Sequence, residues 1–189
     1  MESVTVLGAG GHGQDVAAIL QACGFHFAGY LDDKTGRPWS TLTGAYVFGV
    51  HSSTDRARCD NFVATAVVAV HPSAYVDPRT EVEAGVVVGP RAVIGNDCHI
   101  GRHVHIGQAV TMVRTWLAPY VTVSPGAVIC GDVHISEGAT IGAGAVVSNL
   151  CEVGKYATIG AGAVLPPRTV VPARSVWAGV PARPLHEAA

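Results

Sequence analysis

From residue 74 onward the chain repeats in sixes: a small residue, a variable one, an aliphatic one, then often glycine. The aliphatic positions step from Val76 through Val82, Val88, Ile94, Ile100 and Ile106 to Met112. They slip once and resume at Leu117, then run every six residues through Val123, Ile129 and Ile135 to Leu165, Val171 and Trp177. Two positions before each stands a small or β-branched side chain, as at Ala92, Cys98, Ala127, Ala139 and Ala157. A 3.6-residue helix does not keep such a frame, and neither does simple two-residue alternation between turns. A triangular solenoid does, with three short strands per coil and the aliphatic residue inside. Each fully buried aliphatic side chain contributes roughly 2 kcal/mol, so a single coil is weak and stacking must close the core. The pattern predicts a mainly β chain: a left-handed parallel β-helix of hexapeptide repeats, about six coils, over residues 69–177, followed by a tail at 178–189.

Residues 1–68 follow another rule. Val4-Thr5-Val6-Leu7 reads as a buried strand, Gly8 to Gly13 as a glycine loop, and Asp15 to Cys23 as an amphipathic helix closed by Gly24. A second strand, Phe27 to Leu31, ends in Asp32-Asp33. This is a small, truncated Rossmann-like α/β domain whose loop amides face a helix N-terminus, a place suited to phosphate. Gly8-x-Gly10-x-x-Gly13 with an acidic residue further on meets the dinucleotide fingerprint superficially. The segment is too short for a doubly wound dinucleotide domain, and a nucleotide-sugar pocket suits it better.

Composition narrows the classes further. Apolar residues make up 49% and charged residues 14%, so the chain has ample material for a core. A formal charge of −2 leaves no electrostatic footprint for nucleic acid or an anionic membrane. No signal peptide or membrane-length apolar run is legible, so the expected location is the cytoplasm. The five cysteines, Cys23, Cys59, Cys98, Cys130 and Cys151, form no Cys-x-x-Cys pair and read as small buried thiols.

Three motifs in order, Gly8-Ala9-Gly10-Gly11-His12-Gly13, His71-Pro72-Ser73-Ala74 and Ala178-Gly179-Val180-Pro181-Ala182-Arg183, resemble one family. It is the sialic acid O-acetyltransferase and bacillosamine-type nucleotide-sugar N-acetyltransferase group of hexapeptide acyltransferases. The resemblance spans nearly the whole chain. It implies a homotrimer that binds acetyl-CoA, or another acyl-CoA, as co-substrate in the cleft between subunits, and a small sugar or nucleotide-linked acceptor whose amine or hydroxyl is acylated. It further implies that Gly131, Gly142, Ala143 and Ala161 contact the pantetheine arm and that Arg183 lies near the CoA phosphates. Gly10, Gly11, His12, Gly13, Asp32 and Asp33 would match the acceptor's nucleotide pocket.

The chain departs from that family at its chemistry. The family's general base is a histidine at the corner where this chain reads Val113-Arg114-Thr115, and a second family histidine corresponds to Thr122. Arg114 therefore stands at or next to the position of the base. Coil arithmetic offers a substitute: eighteen residues beyond Trp116 lies His134, eighteen more leads to Glu152, and seventeen back across the slip lies His99. Stacked coils lie about 4.8 Å apart, so His134 and Glu152 are expected as neighbours on one outward column, a histidine oriented by a carboxylate. His99, His103 and His105 invite a metal reading, but one six-residue step turns a side chain to another face, and no metal is expected. The alternative function is a non-catalytic trimeric scaffold or partner subunit that has kept the fold and lost the acyltransferase chemistry.

Overall fold

The computed structural model describes residues 3–32, 45–48 and 67–186. Its first part is a three-stranded parallel sheet in the order β2–β1–β3, where β1 is Ser3–Leu7, β2 is His26–Leu31 and β3 is Ala45–Phe48. Helix α1, Gly11–Ala22, joins β1 to β2 and buries Val16, Ala17, Ile19 and Leu20 against Val4 and Val6. The helix begins earlier than the sequence pattern suggests, so His12 and Gly13 belong to its first turn. Gly10 is its N-cap in an extended conformation, and the Gln14 amide already donates to the Gly10 carbonyl at 3.1 Å.

From Ala69–Val70 the chain winds as a parallel β-solenoid of about six turns, built of two- and three-residue strands that pair only with the coils below and above. Three faces result, each defined by its outward column. Face I carries Val87, His105, Thr122, Thr140, Thr158 and Val176. Face II carries Tyr75, Val93, Thr111, Val128, Val146 and Val164. Face III carries Glu81, His99, Trp116, His134, Glu152 and Val170.

The inward residues are those of the six-residue frame. Val88 to Val171 are buried in one continuous cluster, and Val76, Val82 and Trp177, at the ends, are only partly covered because no further coil lies over them. The small residues two places earlier, among them Ala92, Ala127, Ala139, Ala157 and Ala163, are fully buried where the corners crowd the interior. Corners turn through a left-handed residue, for example Asp97 at φ 54° and Tyr156 at φ 56°. The strain at such positions is held by the ladder: the Tyr120 amide donates to the Arg102 carbonyl one coil below at 3.0 Å, and Tyr156 to Glu137 at 2.9 Å.

The slip falls at the corner between faces II and III, where Arg114 (φ 44°) makes a turn one residue shorter than its neighbours. The register across it is the one the arithmetic gives: Trp116 pairs with His99 below and with His134 above, and His134 with Glu152. At the far end a last strand, Arg183–His186, folds back antiparallel on Val176–Ala178 and sets Arg183 opposite Ala178. At the near end α1 lies across the lower part of face I. Val67, just before the solenoid, and Ala69 and Val87 within it join the core of the small domain there.

Cys98 and Cys151 are buried, Cys23 and Cys130 partly so, and all four are free thiols. Burial pushes the thiols of Cys23, Cys98 and Cys151 above their ordinary value, so they are poor nucleophiles near neutrality. Cys59 lies outside the described residues. No described helix is long and apolar enough to cross a membrane.

Candidate active site

The edge between faces I and II is a stack of turns made of small residues. The amide of Gly126 donates to the Gln108 carbonyl below it, that of Gly144 to Pro125, and that of Gly162 to Ala143, at 2.8–2.9 Å. Pro125, Ala143 and Ala161 therefore stand one above another, with Gly142 and Gly160 beside them. A methyl group on Gly142 would come 2.5 Å from the Ala161 nitrogen and 2.6 Å from the Gly160 carbonyl carbon. The backbone of the next coil passes directly over Gly142. Ala143 and Ala161 are exposed, so the edge presents backbone and methyl groups to solvent over its upper half. Arg183, exposed and paired with Ala178, closes its upper end.

The lower end of the same edge runs under α1. A cavity of about 120 Å³ opens there, lined by His12 and Asp15 of α1 and by His105, Gly107, Thr122, Ser124 and Pro125 of the solenoid. His105 is 9% exposed, although it points out of face I, because the helix covers it. Its ring meets that of His12 edge-on, with centroids 4.1 Å apart. Thr122, cross-strand partner of His105, is buried at the back of the cavity. A wider cleft of about 340 Å³ continues along Asp15, Ile19 and Gln108 to His71 and Arg91.

The glycine loop completes the small domain's side. The Asp32 carboxylate accepts the Ala9 amide at 2.9 Å, and the Gly8 amide donates to the Leu31 carbonyl at 2.8 Å, so the end of β2 clamps the loop. Gly10 and Gly11 face open space, and Gly13 is buried inside the first helical turn. Asp33 lies outside the described residues.

The corner between faces II and III is different. Arg114 lays its guanidinium across Gly131 and reaches the Asp132 carboxylate at 3.2 and 3.4 Å. The space that Gly131 offers is thus taken by Arg114, and Gly131 stands on another edge from Gly142, Ala143 and Ala161. Beside this corner an open groove of about 620 Å³ runs down face III past Trp116, His99 and His134. Its floor is a stack: His99 on Trp116 with centroids 3.8 Å apart, and Trp116 on His134 at 5.7 Å, the rings nearly parallel. Glu81 and Glu83 hold the two nitrogens of His99 at 3.2 and 3.3 Å. His134 and Glu152 are register partners, but no hydrogen bond joins them, and both are exposed. In a three-sided prism face III lies opposite the edge of small residues. His134 cannot meet that edge within one subunit.

His99, His103 and His105 occupy face III, the corner beyond it and face I in turn, as a six-residue step requires. Among the described residues no three His, Cys, Asp or Glu side chains are disposed to hold a metal ion. Sequence reasoning did not find the cavity or the partnership of His12 with His105. These residues are far apart in the chain, and only the packing of α1 on face I unites them.

A small α/β glycine-loop domain seated on a hexapeptide solenoid is the architecture of a class of acyltransferases, and the comparisons agree. The family model described as PglD N-terminal domain matches residues 3–70, and that described as GMPPB C-terminal domain matches residues 70–180. The acetyltransferase domain of PglB from Neisseria gonorrhoeae in complex with acetyl coenzyme A is 30% identical. It covers 97% of this chain and 99% of its own, with a TM-score of 0.89. WeeI from Acinetobacter baumannii is 25% identical over 98% of this chain and 100% of its own, at 0.84. A histidine variant of perosamine N-acetyltransferase from Caulobacter crescentus, in complex with CoA and GDP-perosamine, shares the fold. Its TM-score is 0.90 at 24% identity, over 99% of this chain and 98% of its own. No curated protein matches the sequence. The chain belongs to the hexapeptide-repeat acetyltransferase family that includes the acetyltransferase domain of PglB.

Proposed function

We propose that this protein transfers the acetyl group of acetyl-CoA to an amino group on a nucleotide-linked sugar. The observation that carries the reading is the meeting of two half-sites at one cavity: the edge of small residues runs down to it, and the glycine-loop domain forms its other wall. Gly142, Ala143 and Ala161 leave the edge bare enough for a pantetheine arm, and Arg183 at its upper end suits the CoA phosphates. Three rungs separate Pro125 from Ala178, about 14 Å at the spacing of stacked strands, a span for an extended chain whose thioester ends at the cavity. On the other wall Gly10, Gly11 and His12, with Asp32 behind them, would hold the acceptor. In this division residues 1–68 bind acceptor, 69–177 bind acyl donor, and the tail 178–189 supplies the phosphate contact. Proteins of similar structure that carry CoA with GDP-perosamine, or acetyl-CoA, support the same pair of substrates.

The working unit in this reading is a homotrimer with the donor in a cleft between subunits. Its support is the outward column of face II, where Tyr75, Val93 and Val128 are 54%, 45% and 38% exposed on successive coils interrupted only by Thr111. Acetyl-CoA and a nucleotide-linked sugar as substrates would suit a protein of the cytoplasm. An amine acceptor suits a chain without histidine at 113–115, because a neutral amine is already nucleophilic and positioning beside the thioester supplies much of the rate.

The second reading, a trimeric scaffold without chemistry, is favoured by that same absence at the corner. Thermal denaturation with acetyl-CoA tests the donor half. Saturation at 100 times Kd stabilises by about 2.7 kcal/mol, and the melting temperature rises accordingly. No shift at millimolar acetyl-CoA moves the account to the scaffold.

A further inference from the structure

We propose that His105 is the catalytic base, a role that rests on the acetyltransferase reading above and goes beyond it. His105 is separated from the foot of the small-residue edge only by Ile106, whose successor Gly107 makes the first turn of the edge beside the cavity. It is buried under α1, and its ring is set edge-on to His12. The other described histidines are elsewhere or engaged. Within one subunit His99 and His134 lie on face III, opposite the edge; His103 stacks on Tyr120 at another corner; His71 has its Nδ1 taken by the Ser73 amide and hydroxyl at 3.1 and 2.9 Å.

His12 and His105 divide the work by the walls they stand on. His12 belongs to α1, the acceptor's wall, and is a positioning residue that orients its neighbour. His105 belongs to the donor's wall, where the new bond forms. The acceptor nitrogen adds to the thioester carbon, the C–S bond breaks, and the proton that leaves nitrogen passes to His105. From there it returns to the departing CoA thiolate, so amine plus acetyl-CoA gives amide plus free thiol. The other titratable groups lining this cavity are His12 and Asp15, both on α1.

The experiment uses the full chain, acetyl-CoA, and a panel of nucleotide-linked amino sugars that includes GDP-perosamine, with thiol release as the readout. Using the acceptor that the wild-type protein turns over best, His105→Gln lowers kcat about 100- to 10,000-fold. Its melting temperature and acetyl-CoA shift stay at wild-type values. The acid limb of the wild-type pH–rate profile carries the ionisation of one group besides the acceptor amine, and in the variant only that of the amine remains. His12→Gln keeps the acid limb while raising KM or lowering kcat. A His105→Gln protein with wild-type kcat and an unchanged acid limb overturns the assignment. A wild-type protein that releases no thiol with any acceptor overturns the functional reading itself, a failure seen before any variant is made.

Discussion

Two glycines that look alike in the sequence should respond differently to the same methyl group. At Gly142 an added Cβ meets backbone of the next coil at 2.5–2.7 Å, from the Ala161 nitrogen, the Gly160 carbonyl carbon and the Ile159 oxygen. Ordinary contact begins near 3.4 Å, so the coils must part by close to 1 Å at an edge whose ladder resists it. Overpacking of this kind costs about 1–3 kcal/mol, and the loss of unfolded-state freedom offsets roughly 0.4–1 of that. At Gly131 the Cβ would overlap only the guanidinium of Arg114, the far end of a flexible side chain. Arg114 swings out, breaking an ion pair to Asp132 whose partners are 46% and 51% exposed, a solvent-screened contact whose small loss the same offset cancels. Gly142→Ala should therefore melt lower than wild type, by up to about 10 °C, and Gly131→Ala within about 2 °C of it, by circular dichroism at equal protein concentration. Equal losses in the two variants refute the packing argument, as does a larger loss at Gly131.

Three further outcomes follow from the same geometry. Val128→Glu puts a carboxylate in the middle of the face II column; if the proposed trimer packs on that face, sedimentation should give trimers for the wild type and monomers for the variant, and a variant that stays trimeric would remove that face from the interface. Ile135→Ala empties a fully buried inward position and should destabilise by about 2–5 kcal/mol in denaturant unfolding, whereas a loss below about 1 would mean that the coils collapse around the gap. The Tyr156 hydroxyl donates to Glu137 at 2.8 Å and, with Lys155, holds that carboxyl below its ordinary value of 4.5. A lowered acid stabilises the fold fully above its unfolded value and loses the contribution as pH falls through the folded one. The stability gap between wild type and Tyr156→Phe should thus be constant near pH 7 and shrink below pH 4.5, and a gap that widens in acid would contradict this.

Much of this fold was legible because it is periodic. A frame of six fixes which side chains point inward, and eighteen residues per coil, shortened once, fixes which residues stack. Trp116 therefore fell between His99 and His134, with Glu152 one rung further. Register is not contact, however. His134 turns its ring onto Trp116 and makes no hydrogen bond to Glu152, because stacking on an indole was available on the other side. Gly131 reads in sequence as one more bare glycine. Only the reach of Arg114 from the coil below, across a corner shortened by one residue, fills the space above it. The cavity under α1 depends on how a non-periodic domain packs against a periodic one, and no spacing rule carries that information.

Acetyl transfer itself is the most direct test of the account. Incubation with acetyl-CoA and nucleotide-linked amino sugars, followed by mass analysis of the acceptor, should give an N-acetylated sugar in step with free CoA thiol. Unmodified acceptors beside a protein that still binds acetyl-CoA would contradict it, leaving a solenoid that holds the donor and passes nothing on.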